Sequence, residues 1–226
     1  MKSWPALLCA TVALAGCSAL PGHTSESRQS VAVSSPALSL PAARHETGQC
    51  LARLGQMGAQ YTALPDRYLD QGCSELGTVQ LASLRSDDAT FGVTNLGPVT
   101  CELSQVFSAW ARYGVDRAAR QILGSPLRSI ETFGSYSCRN VAGSDRRSAH
   151  ATGAAIDVSG FVLEDGRRIT VRAAWNGGSD REREFLRVIQ QSACKRFDTV
   201  LSPDYNAAHQ DHLHVEGVMQ SRSYCR

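Results

Sequence analysis

The 226-residue sequence predicts an α+β domain in which helices flank an antiparallel sheet. Three observations lead there: two stretches with apolar residues at helical spacing, short β-rich runs around the second stretch, and a hairpin signal at Asp165-Gly166. Composition supports one packed domain, with 42% of residues hydrophobic and 19% charged. Lys+Arg 23 against Asp+Glu 21 leaves a net charge of +2, without the clustered positive charge that binding nucleic acid requires.

In chain order the first element is a leader. Met1-Lys2-Ser3 is a short basic start, the run from Trp4 to Gly16 is apolar, and Cys17 follows. These 13 apolar residues are too few to span a hydrocarbon core of about 30 Å, so residues 1–16 read as an export signal and not as an anchor helix. Leu14-Ala15-Gly16-Cys17 resembles the lipobox of bacterial lipoproteins, which implies that Cys17 is lipidated and becomes the mature N-terminus. Residues 17–45 are rich in Ser, Ala and Pro without an apolar period, and predict a flexible tether. The folded domain is expected over residues 46–226.

Six cysteines lie in that domain: Cys50, Cys73, Cys101, Cys138, Cys194 and Cys225. An even number in an oxidising envelope predicts three disulfides, and the absence of a CxxC or CxH pattern argues against a thiolate metal site. The pairing expected is sequential: Cys50 with Cys73, Cys101 with Cys138, and Cys194 with Cys225.

Leu103, Val106, Phe107, Trp110, Ala118 and Ile122 fall on a helical stripe after a Thr100 cap, predicting a helix over residues 101–123 with a break near Gly114. Ser179 and Glu182 form a capping box for a second helix, whose apolar face is Phe185, Leu186, Ile189 and Ala193 and whose end is near Arg196. Strands are expected at Ser129 to Ser137, Ala154 to Val158, a hairpin from Phe161 to Val171, Thr199 to Leu201, and Leu213 to Glu216.

Four of the six histidines lie in two clusters that also hold Asp. The first runs from Ser148 through His150 and Gly153 to Asp157; the second is His209-Gln210-Asp211-His212-Leu213-His214-Val215-Glu216. On a strand an H-x-H pair points both imidazoles to one face. His150, Asp157 and one histidine of that pair would supply the three ligands of a catalytic metal site, with the fourth position open. Asp157 between Ile156 and Val158 is costly to bury unless it is paired, hydrogen-bonded or bound to metal.

Ser148-x-His150-x-x-Gly153-x-Ala155-x-Asp157 with a downstream histidine resembles the signature of zinc D-Ala-D-Ala peptidases. That superfamily includes penicillin-insensitive murein endopeptidases and the hedgehog domain. The His209-x-x-His212-x-His214 spacing is similar to that of the murein endopeptidases. Tyr136-Ser137-Cys138-Arg139, the run from Asp204 to His209, and Tyr224-Cys225-Arg226 resemble the bacterial extensin-like C-terminal family.

The resemblance implies a zinc ion on His150, Asp157 and His214, with His212 as the base. His209, protonated, or Arg139 would stabilise the transition state, and Arg139 and Ser148 would contact substrate. Asp211 stands where related enzymes carry a Glu base; on a regular strand it faces away from His214 and supports the site from behind, unless the strand begins only at Leu213. The implied substrate is peptidoglycan, reached by a monomeric domain held at the periplasmic side of the envelope by lipid alone, at the outer rather than the inner membrane. The alternative is a non-catalytic envelope-binding module on the same fold.

Overall fold

The structure, a computed structural model, describes residues 40–226, with side chains from residue 46 onward. The leader, Cys17 and residues 17–39 of the expected tether lie outside the described residues. In chain order the elements are α1 (Leu40–Gln56), β1 (Gln60–Ala63), β2 (Arg67–Asp70), β3 (Cys73–Glu75), β4 (Thr78–Arg85), β5 (Thr90–Thr94), β6 (Val99–Thr100) and α2 (Cys101–Trp110). Then follow β7 (Leu127–Gly134), β8 (Ala155–Leu163), β9 (Arg168–Thr170), α3 (Val171–Gly177), α4 (Asp180–Ala193), β10 (Thr199–Leu201), β11 (Leu213–Glu216) and β12 (Tyr224–Cys225). No helix among the described residues is long and apolar enough to cross a membrane.

Ten strands form one sheet, with the path β1-β4-β5-β7-β8-β11-β10-β12 and with β6 on β4 and β9 on β8; β2 and β3 form a separate hairpin. The α+β class holds, but the sheet is mixed and not purely antiparallel: β5 with β7 and β10 with β12 run parallel. Parallel neighbours need a long crossover. One contains α2 and its continuation; the other contains β11.

The helical run from Cys101 does not break at Gly114. After Trp110 it continues through π-helical turns at Ala111–Asp116 and Ala119–Leu123 and stops at Gly124, which has a left-handed φ of 76°. These wider turns move the inner stripe, so Phe107, Ala111, Val115, Ala119 and Leu123 are buried at a spacing of four, while Val106 and Ile122 are only partly buried. Gly114 is needed for close approach, because a Cβ there would collide with the Ser192 side chain of α4. Thr100 occupies the cap position without a side-chain cap bond.

The capping box of α4 is present, and its predicted apolar face, Phe185, Leu186, Ile189 and Ala193, is buried. Trp110 Nε1 donates to Ile189 O at 3.0 Å and locks α4 to α2.

The disulfides are Cys50–Cys101, Cys73–Cys138 and Cys194–Cys225. Only the third matches the sequential expectation. α2 packs against α1, where Gln105 Nε2 donates to Cys50 O at 2.7 Å, so Cys101 at the start of α2 meets Cys50. Cys73, at the start of β3, bonds Cys138 and ties the β2–β3 hairpin to the loop that leads to the site.

Candidate metal centre

The first cluster forms a tight turn before β8. Ser148 caps a 3-10 turn over Ala149–Thr152 by accepting from His150 N, and Gly153 closes the turn with a left-handed φ of 64°. A Cβ on Gly153 would lie 3.1 Å from Pro98 O, so the turn packs against the chain before β6. Ser148 is buried, and its hydroxyl oxygen serves this cap, a structural task beside the substrate contact expected of it.

His150 is 2% exposed, and its Nδ1 donates to the Ser135 carbonyl, which leaves a lone pair on Nε2. β8 and β11 are antiparallel neighbours that place His214 directly opposite Asp157, so their side chains share a face. His214 Nε2 donates to Glu216 Oε2 at 3.2 Å, which leaves Nδ1 as the inward atom. His214 Nδ1 lies 2.9 Å from Asp157 Oδ1 and 3.2 Å from His150 Nε2, and His150 Nε2 lies 3.3 Å from Asp157 Oδ2.

Three lone-pair atoms therefore converge in a buried place, a set that could hold a metal ion. A tetrahedral ion with bonds of about 2.0–2.1 Å has ligand-to-ligand edges of about 3.3 Å, close to the 3.2 Å between His150 Nε2 and His214 Nδ1. The remaining ring nitrogens are held by a carbonyl and a carboxylate, the usual outer partners of metal-binding imidazoles. The local charges agree: burial penalises the Asp157 carboxylate, but His150 and His214 outweigh it and hold the group far below the ordinary range. Burial lowers His214, yet Asp157 and Glu216 raise it to about 9, so without a metal a proton can supply the cation that this convergence calls for.

His212 stands beside this set. Its Nδ1 donates to Asp211 Oδ1 at 2.9 Å, and Nε2 lies 3.4 Å from Asp157 Oδ1. β11 does begin only at Leu213, yet Asp211 still sits behind His212, 3.9 Å from Arg172 and away from the triad.

His209 follows from a second 3-10 turn, capped by Asn206, whose Oδ1 accepts from Ala208 N at 3.0 Å and from His209 Nδ1 at 2.7 Å. Burial, then the neighbouring His212 and His214, push His209 down to about 4. That direction favours the uncharged ring, in contrast to the protonated oxyanion stabiliser expected.

A cleft of about 360 Å³ opens over the centre, lined by Asp157, His209, His212 and His214 and, on its walls, by Arg139, Arg146, Tyr205 and Tyr224. Arg139 follows the Cys73–Cys138 bond, and its loop is further held by Arg147, which donates to Gln71 O at 2.9 and 2.6 Å. Trp175 Nε1 donates to Asp204 Oδ1 at 2.8 Å and fixes the opposite wall to α3. A surface depression of about 440 Å³ beside Gln121 and Glu184 holds no convergent ligand set.

Two contributors were not anticipated from sequence. Glu216 closes the second cluster but had no role assigned to it; the period of two along a strand puts it on the ligand face beside His214. The Ser135 carbonyl carries no sequence signal, because any residue supplies one.

A mixed α+β domain with a buried His/Asp/His set at the junction of two strands is the class that fold and site define. The chain belongs to the extensin-like protein C-terminus family, whose model matches residues 48–226. No curated protein and no solved structure matches the chain.

Proposed function

We propose that the protein is a zinc-dependent peptidase that hydrolyses amide bonds in the stem peptides or cross-links of peptidoglycan, working as a monomeric lipid-anchored domain at the periplasmic side of a bacterial envelope. One observation carries the reading: a histidine oriented by a carboxylate, His212 on Asp211, points its Nε2 toward the buried His/Asp/His set. That arrangement pairs a base with a place for an electrophile.

His150 Nε2, Asp157 and His214 Nδ1 are the atoms that would hold zinc, and two nitrogens with one oxygen suit its borderline softness. Bound zinc supplies a Lewis acid that polarises a carbonyl and lowers the pKa of water from about 15.7 to about 7.

His212 accepts a proton from the attacking water at Nε2 and returns it to the leaving amine. Asp211 holds the tautomer that makes this possible and stabilises the imidazolium while it lasts. Arg139, on the cleft wall, is the standing positive charge for the developing oxyanion. Neutral His209 accepts through Nε2 and so positions a substrate N–H.

Digestion of purified sacculi tests the reading. Wild type is expected to release muropeptides and His212→Ala to release none at equal metal content. Intact sacculi with wild-type protein would instead return a non-catalytic binding module.

A further inference from the structure

The His212 ring separates two openings. One is the cleft with Arg139 and Arg146; the other is a groove of about 290 Å³ lined by Phe133, Ser159, Thr170, Arg172 and Asp211. The groove begins at the catalytic ring itself, since Asp211 bonds His212 Nδ1 and the Phe133 ring stands edge-on to His212 at 5.9 Å between centroids.

Phe133 reaches this place through a β-bulge. Thr132 is opposite Val158 and Gly134 is opposite Asp157, so β7 spends one extra residue where β8 advances by one. Phe133 is that residue, and it is 56% exposed although both sequence neighbours are more buried. A bulge re-aims a side chain at the cost of ladder pairing. Here it aims an aromatic ring across the strand position that adjoins the ligand Asp157.

Arg168 also lines the groove but is held by Glu131 at 2.8 and 3.0 Å, which leaves Arg172 as its uncommitted guanidinium. The Arg172 side chain is 72% exposed, its nearest carboxylate is Asp211 at 3.9 Å, beyond hydrogen-bond range, and it makes no hydrogen bond among the described residues. On the other side of His212 the Arg146 side chain likewise has no hydrogen-bond partner among the described residues, and Arg139 reaches only the Asn140 carbonyl at 3.5 Å. Guanidinium donors suited to carboxylates thus flank the centre on both sides.

The geometry points to the Phe133–Arg172 groove as the second half of the substrate cleft: it receives the peptide chain beyond the scissile amide, with an apolar portion on Phe133 and a carboxylate on Arg172. The inference rests on the peptidase reading above and narrows it. The preferred substrate is a carboxylate-bearing peptide that continues on both sides of the cut bond, as in a cross-link, and not a single terminal residue.

The test compares wild type with Phe133→Ala and Arg172→Gln, both surface changes expected to leave the thermal midpoint unmoved. Affinities for a cross-linked muropeptide dimer and for its uncross-linked monomer are measured by calorimetry after chelation, which keeps the ligands intact. KM and kcat for the dimer are measured with zinc present. Each variant is expected to weaken dimer affinity and raise its KM at least ten-fold, with kcat and monomer affinity within two-fold of wild type. Unchanged dimer affinity in either variant, or an equal loss for dimer and monomer, overturns the subsite while leaving hydrolysis standing. Wild-type protein that binds neither ligand and releases nothing from sacculi overturns the peptidase reading, and the subsite with it.

Discussion

His214 and Asp157 face each other across adjacent antiparallel strands, with Nδ1 2.9 Å from Oδ1. Their neighbours Leu213, Val215, Ile156 and Val158 are fully buried on the other face of the sheet, so the hydrophobic core sets the register of the candidate ligands. A slip of one residue would turn these carboxylate and imidazole groups into the core. The site is therefore held by the same pairing that holds the fold.

Metal content follows directly. Wild type is expected to bind one zinc ion per chain, and His150→Ala, Asp157→Ala and His214→Ala to bind none, as read by elemental analysis after dialysis. Zinc at a hundred times its dissociation constant should stabilise the wild type by about 2.7 kcal/mol and leave the variants unmoved in thermal melts. Equal zinc in wild type and in all three variants would remove the centre from consideration.

Glu216 holds the outer nitrogen of His214. Glu216→Gln should lower zinc affinity by roughly 10- to 100-fold while the circular dichroism spectrum stays the same. Competition with a chromogenic chelator measures this, and an unchanged constant would mean that Glu216 only caps a strand.

His212 and Asp211 should separate base from orienter. His212→Ala is expected to cost about 10²- to 10⁴-fold in kcat, and Asp211→Asn less, with one zinc retained in both. Loss of zinc in His212→Ala would make it a ligand and not a base.

The disulfide pairing is open to non-reducing peptide mapping, which should recover Cys50 with Cys101 and Cys73 with Cys138. Removing both cysteines of the first pair should destabilise the domain by about 2–4 kcal/mol in urea unfolding. Peptides joining Cys50 to Cys73 would contradict the fold of the β2–β3 hairpin.

Asp87 gives a pH signature away from the site. Hydrogen bonds from Arg117 and then Arg112 lower its carboxyl to about 2. A depressed folded-state value means that its contribution is present above the unfolded value of about 3.9 and is lost as pH falls toward 2. Asp87→Asn should flatten the stability profile in that window and lower stability by a constant amount above pH 5. A wild-type profile that is already flat there would show that solvent screens the ion pairs completely.

Local chemistry made much of this legible. The capping box of α4, the strands β10 and β11, and the candidates His150, Asp157 and one histidine of the H-x-H pair were readable from local spacing, while the choice of His214 came from the family resemblance. β1 to β6 were not read: most of them are too short to show a period, and β2 is exposed along its whole length. The helix after Trp110 kept its place but changed its pitch, because Gly114 lets α4 approach and the stripe follows that contact.

By itself the sequence determined which residue types could hold a metal, where the chain must turn, and that six cysteines must pair in the folded region. Tertiary structure alone decided which cysteines meet, that Asp211 backs His212 and does not face the triad, that His209 stands against the His212 and His214 rings, and that a bulge turns Phe133 beside the site. The reason is physical: turns, caps and strand periods are set by neighbours in the chain, whereas disulfide partners, ring tautomers and burial depend on segments that only strand pairing and packing bring together.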